Sequence, residues 1–170
     1  LNVSVLLDTS FLISLVDENR TNHAIAAQYY RFTMEQRIPM YFSAIAAAEF
    51  AIKQPITDLP LRNFRELHFN IPHGVKAALL MNALGKRDDG DNRVAVLNDI
   101  KLIAQAVHEK IPFIITEDAS SLFKYCERLR NLEVLDVRAI KLIDGFNPSV
   151  FREDDQQGEL NLSDPEFGSW

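Results

Sequence analysis

The sequence predicts an α/β domain in which a mainly parallel sheet is covered by helices on both faces. Two observations carry that prediction. Short apolar runs of strand length alternate with stretches of helical periodicity, in the order strand, helices, strand, helices, strand, helix, strand, helix. The first run, Val3 to Leu7, alternates and then turns continuously apolar, which suits a strand buried on both faces. It ends at Asp8, with Thr9 and Ser10 behind it as hydroxyls able to cap a helix. A buried strand thus delivers an acid to its own carboxyl edge, where ligands bind in open α/β sheets.

Ser10 to Val16 follows as a short helix with Phe11, Leu12, Leu15 and Val16 apolar, and the polar run Asp17 to Asn22 ends it. His23 to Gln36 resumes the helical period, and His23, in the first turn, reads as a surface or capping group. Ile38 to Phe42 is a second strand, with Pro39 at its start where a missing donor is tolerated. Ser43 caps a helix from Ala44 to Ile52, which Pro55 terminates. Thr57 to Leu67 is weakly helical. Pro72 to Leu84 is a further helix, with Pro72 in its first turn and Gly85 as its carboxyl-terminal cap. Lys86 to Asn92 is a polar loop without the ligand spacing or closing Glu of a calcium loop. Val94 to His108 is the clearest helix, with Val96, Ile100, Ile103 and Val107 on one stripe. Ile111 to Ile115 is a third strand and leads into Thr116, Glu117 and Asp118. Ser120 to Leu129 is then helical, Leu132 to Leu135 a fourth strand and Val137 to Ile143 a last short helix.

The chain has 170 residues, 47% hydrophobic and 25% charged, which suits one folded domain over residues 1–150. No apolar run reaches the length of a membrane span and no basic segment precedes the first one, which argues against a membrane anchor and a signal peptide. The single cysteine, Cys126, excludes an intrachain disulfide, suits a reducing, cytoplasmic compartment and reads as core filling. The formal net charge is -6, yet residues 151–170 set Arg152 against Glu153, Asp154, Asp155, Glu159, Asp164 and Glu166, so the remainder is nearly neutral. An acidic pocket and a local basic patch can coexist in such a domain. The acidic tail over 151–170 reads either as a flexible extension or as an arm that fills a basic groove, with Phe167 and Trp170 as apolar anchors.

Four carboxylates stand in places that invite chemistry. Asp8 and Asp118 are at strand ends, while Glu49 and Asp99 sit at the margins of apolar helical faces. All four can converge on one crevice at one sheet edge. Acids packed together raise each other's pKa and repel, and a divalent cation resolves the conflict. Hard oxygen ligands, without a cysteine pair or a suitably spaced His pair, favour Mg2+ or Mn2+ over zinc. Such ions do phosphate chemistry. Thr9, Ser10 and Thr116 are placed to hydrogen-bond the carboxylates or water around the ion, and Asp91, Asn92 and Glu117 are candidates for an extra ligand. Arg62, Arg65, Lys86, Arg87, Arg93, Lys101, Lys124 and Arg128 are scattered cations without a readable shared face.

The segments Leu6 to Ser10, Ser43 to Phe50 with Glu49, Asn98 to Ala104 with Asp99, and Ile114 to Asp118 resemble the four acidic blocks of the PIN-domain nucleases, in order and in separation. The resemblance extends over about residues 3–136. It implies a three-layer α/β/α sandwich, metal-dependent hydrolysis of RNA, and Asp8, Glu49, Asp99 and Asp118 as the acidic cluster. Many small members are toxins of bacterial toxin–antitoxin pairs, so it also implies a homodimer and a small antitoxin-like inhibitory protein as partners. The chain departs from a minimal toxin in its long Glu49–Asp99 segment and acidic tail. Two other readings stand beside this one: a non-catalytic RNA-binding or scaffold domain of the same fold, and a phosphatase with Asp8 as nucleophile. The second lacks the Asp two residues on that the haloacid-dehalogenase-like pattern needs, since Ser10 stands there.

Overall fold

A computed structural model describes residues 3–152. Its strands are β1 (Val5–Leu7), β2 (Met40–Ser43), β3 (Arg65–Leu67), β4 (Phe113–Thr116) and β5 (Arg138–Lys141). Its α-helices are α1 (Thr9–Val16), α2 (His23–Glu35), α3 (Ala44–Lys53), α4 (Ile71–Leu84), α5 (Arg93–His108) and α6 (Leu122–Asn131). The strands form one parallel sheet in the order β3-β2-β1-β4-β5. The chain leaves the central strand β1 toward β2 on one side and returns on the other side through β4, so the sheet reverses its order between β1 and β4. That reversal opens a crevice at the carboxyl edge.

Strand alternation divides the core into two layers. Val5 and Leu7 of β1 and Phe113 and Ile115 of β4 pack with Phe11 and Leu12 of α1, Tyr29 of α2 and Phe50 of α3. Leu6 and Ile114 point the other way, into Ile100 and Ile103 of α5 and Leu122 and Tyr125 of α6. The result is the three-layer α/β/α sandwich, and all of Val5 to Leu7 is buried as the sequence predicts. Pro39 and Pro112 lie just before β2 and β4, where each carbonyl accepts from a neighbouring strand, Val5 N–H at 2.9 Å and Arg138 N–H at 2.9 Å. Pro112 therefore does not force β4 to an edge. Cys126 is buried in the second layer, and burial pushes its thiol up to about 12. His23 joins α2 to α1 through Nδ1 and the Ser14 carbonyl at 2.9 Å.

Three expectations are corrected. The weakly helical stretch Thr57 to Leu67 is instead two 3-10 turns, Ile56–Asp58 and Leu61–Asn63, followed by edge strand β3. Pro60 interrupts the turns, and Arg65 and Glu66 face solvent at the sheet edge, so no apolar alternation marks the strand. Leu132 to Leu135 is not a strand: Leu132 caps α6, Glu133 takes a left-handed conformation with φ 59°, and Val134 N–H closes the turn onto the Leu129 carbonyl at 3.2 Å. The edge strand forms six residues later, in Arg138–Lys141 paired with β4, where the sequence predicts a helix over Val137 to Ile143. A 3-10 turn, Leu142–Asp144, follows it.

The polar loop before α5 is clamped to α6. Arg128 makes a bidentate ion pair with Asp88, at 2.8 and 2.6 Å, while Lys124 Nζ and the Tyr125 hydroxyl donate to Asp91. Both cations also stand over the Tyr125 ring. Among the described residues no helix is long and apolar enough to cross a membrane. The acidic tail beyond Arg152, with Phe167 and Trp170, lies outside the described residues.

Candidate acidic metal centre

Asp8 stands at the carboxyl end of β1, at the sheet's reversal point, and caps α1. Its Oδ1 accepts from Thr9 N–H at 2.8 Å, and its Oδ2 accepts from the hydroxyls of Ser10 and Thr116, each at 2.7 Å. Thr116 belongs to β4, so the neighbouring strand end completes the shell around the acid. Asp8 is 5% exposed. Burial raises its pKa, the three donors oppose that rise, and the nearby Glu49 charge adds to it.

Glu49 comes from the second turn of α3, and both its oxygens are engaged. Thr9 donates its hydroxyl to Oε2 at 2.7 Å, and Asn98 donates its amide to Oε1 at 2.6 Å. Asp99, next to Asn98 on α5, accepts from the Ser121 hydroxyl. Its carboxyl is pushed up to about 8, first by burial and then by the charges of Asp8, Asp118 and Glu49, with Ser121 opposing. Asp118 follows β4 and accepts at Oδ1 from the Ser120 amide and hydroxyl, both at 2.7 Å, and from Ser121 N–H at 3.0 Å. All three other acids thus act on Asp99, and the ion pairs among the described residues include none of the four. Their donors are hydroxyls, amides and backbone N–H groups, all neutral. Buried and half-buried carboxyl oxygens with neutral supports and no cationic partner among the described residues are a donor set that fits a hard divalent cation.

Two members of this arrangement escape a reading of carboxylates alone. Asn98 and Ser121 orient Glu49 and Asp99, and their signal in the sequence is only that Asn98 opens one acidic block and Ser121 follows another. The extra-ligand candidates are committed elsewhere. Glu117 accepts from the Ser14 hydroxyl and pairs with Arg20 at 3.4 Å, Asn92 caps α5, and Asp91 holds the loop clamp. Lys124 and Arg128 are likewise consumed by that clamp.

The fold also joins two histidines that the sequence keeps far apart. Ligand-type atoms of His73, His108 and Glu109 lie within 4.8 Å of one another, a spacing compatible with a divalent ion, whereas among the described residues the four acids do not gather three oxygens that tightly. This second cluster is at the far end of α5. Its hydrogen bonds give it another role: buried His73 accepts from Asn70 N–H at Nδ1 over 2.9 Å and donates from Nε2 to Glu109 over 2.7 Å. Both ring nitrogens are used to close α4 and fasten it to α5, and a metal would displace one of those bonds.

The geometry agrees with what the chain is similar to. The fold is shared with chains in the structures of FitAcB from Neisseria gonorrhoeae (18% identity, TM-score 0.56, 81% of this chain and 97% of that one) and of promoter-DNA-bound VapBC2 from Rickettsia felis (10%, 0.54, 82% and 98%). It is shared also with Mycobacterium tuberculosis VapC20, a toxin that cleaves the sarcin-ricin loop (14%, 0.52, 74% and 95%). No curated protein matches by sequence. The family model described as PIN domain matches residues 5–128, from β1 through Arg128 of α6. Spanning most of the chain, that match and the shared architecture establish that the chain belongs to the PIN-domain family.

Proposed function

We propose that this chain is a ribonuclease dependent on Mg2+ or Mn2+, with Asp8, Glu49, Asp99 and Asp118 as its acidic centre. The observation that carries the reading is the convergence of Asp8, Glu49 and Asp118 on Asp99, whose carboxyl burial and these three charges push up to about 8, while no ion pair among the described residues includes any of the four. When bound, a divalent ion supplies Lewis acidity toward a phosphodiester oxygen and lowers the pKa of water. The chain's own residues supply position. Asp8 is locked by three donors and cannot rotate without losing them. Glu49 is held at both oxygens by α1 and α5, so these two helices fix its aim between them. Asp118 is held at one oxygen by the turn into α6.

RNA is the favoured substrate because a similar fold belongs to a toxin that cleaves the sarcin-ricin loop. The likeness to chains of VapBC and FitAcB structures supports a toxin-type role, with a small antitoxin-like protein and a second copy of this chain as partners. The test is metal-titrated cleavage of structured and single-stranded RNAs. Cleavage should require Mn2+ or Mg2+ and fall by about a thousandfold in Asp8→Asn, the order of loss expected when electrostatic stabilisation is removed from a reacting centre. Undiminished cleavage by a folded Asp8→Asn protein would overturn the assignment, and RNA binding without products would make the chain a scaffold.

A further inference from the structure

We infer that the acidic residues following Arg152 dock in cis into a basic groove at the amino edge of the sheet. This inference does not rest on the nuclease reading, because the groove and the four acids lie at opposite edges. The groove has a volume of about 520 Å3, and the cations Arg37, Arg65, Lys110 and Arg152 line it together with Ser4 and Tyr41. Its lining includes one carboxylate, Glu109, and that group already accepts from His73. Among the described residues, none of the four cations is in an ion pair.

The fold brings these cations together from four elements. Arg37 and Lys110 follow α2 and α5 in left-handed turns, φ 55° and 57°, each closed by a 2.8 Å bond from the next residue back into the helix. Both turns lead directly into the amino ends of strands. Arg65 opens edge strand β3, its guanidinium 6.0 Å from the centre of the Tyr41 ring. Arg152 follows Phe151, which is buried and stacked on Phe32 at 5.7 Å, so the residue that precedes the acidic segment is fixed at the groove.

The sequence that follows Arg152 has complementary charge. Residues 153–170 contain six carboxylates and no Lys or Arg, beginning with Glu153, Asp154 and Asp155. An extended chain covers about 3.3–3.6 Å per residue, so these three acids are within about 11 Å of Arg152. Such a short tether gives a millimolar-range effective concentration in the groove. Four cations lining one groove with a single carboxylate among them leave an excess of positive charge, which the tethered acids offset without recruiting a second molecule. A nucleic-acid backbone offers the same charge but must compete with a segment covalently tethered through Arg152.

The test uses the full chain with a nitroxide on Gln157→Cys, since buried Cys126 does not compete for the label. Paramagnetic broadening of the Arg37 and Lys110 amides should exceed that of Asn98 and Asp118. It should drop about threefold or more in Glu153→Lys/Asp154→Lys/Asp155→Lys, and likewise at about 0.5 M salt, where screening is strong. Arg37→Glu/Lys110→Glu should abolish it, and combining the two reversals should restore it. Broadening that ignores the tail reversal, which leaves the folded domain untouched, would overturn the proposal. So would groove amides that shift with a short single-stranded RNA while the tail reversal changes nothing, since the groove would then be a nucleic-acid site.

Discussion

Asn98 donates its side-chain amide to Glu49 Oε1 over 2.6 Å and thereby ties α5 to α3 beside the acids. Its neighbour Asp99 faces the same crevice, so one helical turn both supplies a carboxylate and aims another. A hydrogen bond to a charged group is worth about 1.5–3 kcal/mol. Asn98→Ala should therefore slow RNA cleavage about tenfold to a hundredfold at fixed Mn2+. Single-turnover rates against metal concentration check this, and an unchanged rate would remove Asn98 from the positioning of Glu49.

Thr116 bridges β4 to Asp8. Thr116→Val keeps the shape and removes a donor from a buried acid, which should cost about 1–3 kcal/mol of folding stability. It should also move the acid limb of the cleavage pH profile upward, because the lost hydrogen bond had been lowering the Asp8 pKa. Urea unfolding and a pH–rate profile read the two effects separately.

Metal-free stability should fall as pH rises. The Asp99 carboxyl is at about 8 in the folded chain, while in the unfolded chain it titrates near its ordinary value of about 3.9. Between those limits the folded state holds a proton that the unfolded state has lost, so stability declines through that window and levels off above it. Asp8, also raised, acts in the same direction. Asp88 and Asp91, lowered chiefly by their hydrogen bonds to Arg128 and Lys124, act oppositely and only at acid pH, where protonation weakens the loop clamp. Unfolding in EDTA at about pH 5 and pH 9 tests this; Asp99→Asn should flatten the decline, and Mn2+ should reverse it.

Glu133 occupies a left-handed position after α6, where a side chain costs about 1 kcal/mol that glycine avoids. Glu133→Gly should stabilise the domain by up to about 0.5 kcal/mol, what is left of that cost once glycine's unfolded-state entropy of about 0.5–1 kcal/mol is subtracted. A shift of the denaturation midpoint at unchanged slope is the expected signature.

The parts of the fold that were legible in the sequence are those whose signals are local. Val5 to Leu7 is apolar on both faces, Val96, Ile100 and Ile103 repeat with the helical period, and Gly85 and Ser43 mark helix ends. The edge strands were not legible: Arg65–Leu67 and Arg138–Lys141 are defined by pairing with β2 and β4, and their half-exposed side chains lack a clean alternation. Leu132 to Leu135, apolar at three of its four positions, resembles a strand more than Arg138–Lys141 does, because its use in ending α6 depends on the left-handed turn at Glu133. At the candidate site the four acids were nameable because each ends a strand or breaks an apolar face. Asn98 and Ser121 were not, since an amide or hydroxyl gains its role only from the carboxylate that the fold sets opposite it. The His73–His108 contact is likewise non-local, joining the start of α4 to the end of α5.

We propose that a divalent ion is held by the four carboxylates and not by His73, His108 and Glu109. Calorimetric titration of Mn2+ into the metal-free chain decides between them. Asp8→Asn and Asp99→Asn should each weaken binding about tenfold or more, a loss of about 1.4 kcal/mol, while His108→Ala leaves it unchanged. Binding that survives both carboxylate substitutions and disappears in His108→Ala would contradict it.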